Sequence, residues 1–185
     1  LERLRGDARG VLDRFPADTY RRNHARPPHD PFVDDWGTGQ KEIEPGVWFP
    51  GVHPMADAQT IDDIEDYPWP DMDDPSRVAH VRAEAQKLRD ANRYASIGTP
   101  WLLFPFERAH AMQGMATFLG HMAGNPEFAE ALLLKIAALC KQLMGHFLRE
   151  CGDVLDIIKI GDDLGTQSSL MISPRMYRRV LKPIH

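Results

Sequence analysis

The sequence predicts an α/β fold in which amphipathic helices alternate with strands of a parallel sheet. Two observations carry this expectation. After residue 75 the pattern runs helix, strand, helix, helix, strand, loop, helix, an alternation that builds parallel sheets. The segment Val154–Ile160, VLDIIKI, is mostly apolar instead of alternating, the pattern of a strand covered on both faces. The chain has 185 residues, 43% of them hydrophobic and 26% charged. It is long enough for one domain with its own core, and we read residues 1–185 as a single domain.

The elements are expected as follows. Residues 1–15 form a short helix that leads into a strand near Phe15–Tyr20. Asn23–Pro31 holds three Pro and two His and reads as a loop. Short strands follow at Phe32–Trp36 and Val47–Val52. Residues 57–74 are acidic and turn-rich, and Tyr67-Pro68-Trp69-Pro70-Asp71 excludes a helix interior because each proline removes a donor and restrains its predecessor. Asp74-Pro75 supplies an N-cap and an N1 proline for a helix reaching about Arg93. Tyr94–Ile97 is a short strand, ended by Gly98-Thr99-Pro100. One helix covers about Phe106–Ala123, and Gly124-Asn125-Pro126 separates it from the next. There Phe128, Leu132, Ile136, Leu139, Leu143 and Phe147 recur every three or four residues and form one apolar stripe. Ser173-Pro174 opens a last helix. The chain stops there, and an open parallel sheet would leave an apolar edge, so closing C-terminal strands are expected beyond residue 185.

Charge and cysteines narrow the function. The net charge is −5, and Asp30–Asp74 holds thirteen Asp or Glu against one Lys. Such an acidic middle argues against a nucleic-acid partner. No run of 18 apolar residues occurs, so no membrane span is expected. The N-terminus LERLRGDARG lacks the apolar core of a signal peptide, and a soluble cytoplasmic protein is the expectation. Cys140 and Cys151 lie about 16 Å apart along one helix, too far for an intrahelical disulfide, and read as buried thiols. No HxxxH, HExxH, CxxC or HxC spacing is present, so no metal ligand is assigned, and both nucleotide glycine motifs are absent.

Three constellations could carry chemistry. Gly161-Asp162-Asp163-Leu164-Gly165-Thr166-Gln167 follows an apolar strand, where parallel α/β folds gather functional side chains. The bland alternative is a turn whose Asp caps backbone N–H groups. Phe106-Glu107-Arg108 follows the preceding strand and competes with a simple surface salt bridge. Asp34-Asp35-Trp36-Gly37 and His53 form the third group, and a lone His is more often structural. The spaced methionines Met112, Met115 and Met122 read as core.

These segments resemble the uroporphyrinogen decarboxylase superfamily, on its branch of corrinoid-linked methyltransferases and O-demethylase-like proteins. The resemblance rests on FVDDWGTGQKEIEPGVWFPGVHPMADAQTIDDIEDYPWPDMDDP, on PFERAHAMQGMATFLGHMAGNPEFAEALL and above all on VLDIIKIGDDLGTQSSLMISPRMYRRVLKP. It covers most of residues 32–183, and the GDD turn with Gln167 four residues beyond Asp163 is its most specific part. It implies a (β/α)8 TIM barrel, of which this chain would be the N-terminal half to two-thirds. It implies a site at the barrel mouth, with acid/base or charge-stabilising roles for Asp162, Asp163 and Glu107. Polar recognition would fall to Gln167, Arg108, Trp36 and His53. Zinc, where such methyltransferases bind it, would come through ligands outside this chain, and a corrinoid would serve as methyl carrier.

Three readings follow. The first is methyl transfer between a methylated donor or corrinoid and a thiol or corrinoid acceptor, with a small-molecule substrate or a corrinoid protein as partner. The second is decarboxylation of a carboxylated tetrapyrrole, which the missing RQAGRY-like signature and the scarcity of basic residues disfavour. The third is a corrinoid- or small-ligand-binding protein without turnover. The resemblance also allows a homodimer.

Overall fold

A computed structural model of the chain describes residues 33–45, 47–79, 81–91, 97–98 and 104–185. The helix expected over 1–15, the strand near Phe15–Tyr20, the loop Asn23–Pro31 and the first residues of the strand at Tyr94 lie outside the described residues. The described elements are β1 (Gly39–Glu44), β2 (Val47–Val52), α1 (Ile61–Glu65), a 3-10 turn (Pro75–Arg77), α2 (Val81–Ala91), β3 (Ile97–Gly98), α3 (Pro105–Gln113), α4 (Met115–Gly124), α5 (Pro126–Cys151), a 3-10 turn (Gly152–Val154) and β4 (Ile157–Ile158). They end with α6 (Pro174–Met176), a π turn (Tyr177–Leu181) and α7 (Lys182–Ile184).

The chain does not form the expected (β/α)8 barrel. A barrel closes eight parallel strands on one another. The described residues hold four short strands in two separate pairs: β1 with β2 antiparallel, and β3 with β4 parallel. The reason lies in how VLDIIKI is used. Gly152–Val154 turns as a 3-10 helix that buries Val154, and only Ile157 and Ile158 pair. Ile157 and Ile160 are exposed, so the run lacks the two-sided cover its composition suggested.

Two compact units divide the described chain. One draws on the described residues within 25–70, 103–139 and 161–185. In it β1 and β2 form a hairpin that pairs Glu44 with Val47, with irregular register between Glu42 and Glu44. Pro50 sits in β2, where a two-stranded ribbon tolerates a residue with no N–H to give. The strand expected at Phe32–Trp36 is instead a turn at Asp34–Gly37, with Val33 alone bridging to Gly39. Within the acidic stretch Thr60 starts α1: its side chain accepts Asp63 N–H, and the Asp63 carboxylate accepts Thr60 N–H at 2.9 Å, a capping box. The single helix expected over 106–123 is two, α3 and α4, broken at Gly114, whose φ of 85° is open to glycine. Phe106, Phe118, Met112, Met122, Phe128 and Leu132 are fully buried, so the expected methionine core holds for two of the three.

The other unit draws on the described residues within 71–102 and 140–160. Asp74 caps Ser76 N–H as expected, but the result is one 3-10 turn, and the α-helix waits until Val81. The Arg82 guanidinium forks onto Asp153 with both Nη atoms, at 2.8 and 2.9 Å, and Arg89 Nη1 donates to Asp153 O. Gly98 lies against Phe147 and Leu155, where a Cβ would come within 2.8 Å of three side-chain carbons. Cys140 and Cys151 are buried free thiols.

Helix α5 supplies residues to both units. Its apolar stripe is buried at Phe128, Leu132, Ile136, Leu143 and Phe147, while Leu134 and Leu148 are exposed. By length and composition the stretch Pro126–Val154 could cross a membrane, which the sequence count did not anticipate. Its one-sided burial is compatible with the core helix of a soluble protein.

Candidate functional site

Helix α3 organises the site. Phe104 takes its N-cap position and offers no capping side chain, and Pro105 has no N–H. The N–H groups of Phe106 and Glu107 would be left without partners. Both are taken by one carboxylate from 55 residues later: Glu107 N–H donates to Asp162 Oδ1 at 2.8 Å and Phe106 N–H to Oδ2 at 3.1 Å. His185 Nε2 meets Asp162 Oδ2 at 3.0 Å, and the Asp162 side chain is 4% exposed. The His185 ring leans on Phe104 and Tyr177. A negative charge at the positive end of a helix is electrostatically favoured. Asp162 therefore has its oxygens engaged as an anchor, the turn-capping role that the sequence left open.

Past that anchor, one face of α3 carries Glu107, His110 and then Gly114, three and four residues apart. Glu107 and His110 are half-buried. Burial pushes the Glu107 carboxyl above its ordinary range, and the carboxylates of Asp162 and Asp163 push it further, against a smaller opposing pull from Arg108. Burial lowers His110 and outweighs the same two carboxylates, with His53 also lowering it. His110 Nε2 is buried and has no hydrogen-bond partner among the described residues. Its ring stands edge-on to Phe106 at 5.5 Å. His53 closes the far end of the face. Its Nδ1 donates to Ala111 O at 2.7 Å, and its ring lies 3.4 Å from where a Gly114 Cβ would be. Met55 N–H donates to Met112 O, and Gln113 Nε2 to Met55 O and Ala58 O, so the segment after His53 is fixed to the end of α3.

The back of α3 is structural. Arg108 is 3% exposed; its Nη1 donates to Asp34 Oδ2 at 2.7 Å, and its guanidinium lies 4.7 Å from the centre of the Trp36 ring. Asp34 Oδ1 accepts the N–H groups of Trp36 and Thr38, which folds the DDWG turn around the ion pair. Tyr67 Oη donates to Trp36 O, and a Cβ at Gly37 would come within 2.7 Å of Tyr67 Oη. A buried cation needs such a partner, since an unpaired one is costly.

Of the expected site residues, Glu107 lies on the half-buried face of α3, Asp162 caps the helix start, Asp163 adds charge near Glu107, and His53 packs at the helix end. Arg108 and Trp36 meet each other behind it. Asp163 is exposed, caps Gly165 N–H at 3.3 Å and contributes charge to the face. Gln167 is exposed in the following bend. Sequence reasoning missed His110 and His185. The spacing of His110 from Glu107 was a usable signal, and nothing in the sequence marked His185.

Among the described residues no three His, Cys, Asp or Glu side chains are arranged to hold a metal ion. His53 spends Nδ1 on a carbonyl, and the Cys151 thiol donates to Phe147 O with its pKa pushed up to about 11, chiefly by burial. A thiol so placed is a poor source of thiolate. No protein-family model matches the chain, and no curated protein or solved structure matches it either.

Proposed function

We propose that the chain belongs to an enzyme performing proton-coupled methyl transfer on a small polar substrate, as the methyltransferase branch of the uroporphyrinogen decarboxylase superfamily does. The observation that carries the reading is the half-buried pair one helical turn apart on α3: a carboxyl whose pKa burial raises and an imidazole whose pKa burial lowers. An acid and a base whose environments move them toward neutrality are the components of general acid–base catalysis. When a methyl group leaves a methyl ether for an acceptor, the departing oxygen gains an electron pair and needs a proton. Glu107 supplies that proton and regains one from solvent after the product leaves, while His110, as a neutral imidazole, orients the substrate or accepts the proton that a thiol acceptor gives up. The acceptor, a thiol or a corrinoid, arrives with another molecule. Two buried free thiols fit a reducing cytoplasmic setting.

The local charge favours this over tetrapyrrole decarboxylation. Recognition of several carboxylates requires free cations, and Arg108, the cation beside Glu107, is committed to Asp34. The test is turnover of a panel of methyl ethers with a reduced corrinoid as acceptor, followed by mass spectrometry. Glu107→Gln should lower kcat by about 10²–10⁴-fold with little change in KM, the size of a lost general acid. Loss of carboxylates from an added porphyrinogen would replace this reading with the decarboxylase. Tight corrinoid binding without product would replace it with a binding role.

A further inference from the structure

His185 meets the start of α3 through a single carboxylate. Asp162 Oδ1 accepts the Glu107 N–H at 2.8 Å, and Asp162 Oδ2 accepts both the Phe106 N–H at 3.1 Å and His185 Nε2–H at 3.0 Å. Two of these donors belong to the backbone of α3. The third is a side chain, so it can be changed without touching the helix.

The imidazole is held for that contact. Phe104 stands edge-on to it at 6.5 Å, and Tyr177 lies tilted against it at 5.8 Å. Val180 and Leu181 are buried and seat the segment that carries it, and His185 N–H donates to Leu181 O at 2.9 Å. The His185 side chain is 21% exposed and the Asp162 side chain is almost fully enclosed, so solvent screens the contact little. A carboxylate so enclosed depends on each of its donors, because a lost one leaves negative charge poorly compensated. With a ring in place of the imidazole but no N–H, Oδ2 would face an apolar surface. The carboxylate would swing toward water, and its charge would act on Glu107 from farther away.

We propose that His185 is a positioning residue for the acid Glu107, acting through the Asp162 carboxylate that holds them both. This role rests on the reading of Glu107 as the proton donor. Burial is the first influence that raises the Glu107 carboxyl; Asp162 and Asp163 follow, and Arg108 pulls against them. His110 on the same helix feels the same two carboxylates. On the far side Tyr177 touches the imidazole, and Lys182 stands exposed one turn before it. By fixing Asp162 at the helix start, His185 keeps Glu107 loaded with the proton it donates.

The test is a carbon-detected NMR titration of the Glu107 carboxyl in the full chain without substrate, which makes it independent of turnover. His185→Phe keeps an aromatic ring between Phe104 and Tyr177 and removes the N–H. It should lower the Glu107 midpoint by about 0.5–1 pH unit. His185→Gln places an N–H near the Nε2 position and should restore the wild-type midpoint. Asp162→Asn should lower the midpoint as well, because the charge itself is gone. A midpoint that stays or rises in His185→Phe overturns the proposal. So does a His185→Gln chain that titrates like His185→Phe, or an Asp162→Asn chain whose Glu107 midpoint is unmoved. A wild-type chain that turns over no methyl ether, while its Glu107 midpoint responds to His185→Phe, defeats the methyl-transfer reading and supports this role.

Discussion

Adjacent aspartates in the GDD turn have different work. Asp162 holds two amides and a histidine, and Asp163 holds one amide at the surface. Asp162→Ala leaves buried donors without partners and is expected to cost about 1–3 kcal/mol in urea unfolding. Asp163→Ala should stay within about 0.5 kcal/mol, the range of an ordinary surface change. Glu107 gives a pH prediction. Its carboxyl is raised in the folded chain, so the folded state keeps a proton that the unfolded state has released. The stability this confers is complete below the ordinary glutamate range and is lost as pH rises through the raised value. Glu107→Gln should therefore melt higher than the parent at about pH 7.5 and converge with it at about pH 4. At this scale the sequence was informative about which residues gather and poor about their tasks. Glu107, Asp162, Asp163 and His53 do assemble. Whether a carboxylate caps or reacts depends on which N–H groups it meets from 55 residues away, and no local pattern encodes that.

At the scale of elements, glycine and proline positions were read well where the signal was local. Ser173 does cap Met176 N–H with Pro174 behind it, and the stripe of α5 is buried as its spacing demands. The failures came where a local signal competed with packing. Gly114 sits inside an uninterrupted helical pattern, and its left-handed backbone splits that pattern in two. Gly114→Ala should destabilise by about 1 kcal/mol or more, because the backbone is strained for any Cβ and the His53 ring is already in contact. The apolar run at Val154–Ile160 resembled a buried strand, but two residues of it pair and two isoleucines face outward. Within α5, Leu132→Ala should cost about 2–5 kcal/mol and Leu134→Ala should be near neutral by the same denaturant titration, since one is buried and the other exposed.

At the scale of the whole chain, neither compact unit is continuous in sequence, and α5 contributes to both. Melting α5 removes core residues from each unit at once. Far-UV circular dichroism and tryptophan fluorescence are therefore expected to report one coincident unfolding transition, and two separated transitions would show that the units melt independently. The resemblance to a barrel family could be drawn from the sequence because short signatures such as the GDD turn are local. The barrel itself could not be verified there, because strand count and closure depend on pairings between distant segments.

The anchor on α3 also has a consequence in time. Its helix and its cap are 55 residues apart. At about 5–20 residues per second on a ribosome, Pro105–Gln113 is synthesised roughly 3–11 seconds before Asp162. Throughout that interval the helix has bare N–H groups at its start, nine residues of length and little intrinsic stability. Until Asp162 is made, nothing caps the start of α3, so the helix and the face carrying Glu107 and His110 gain that anchor late in the synthesis of this segment.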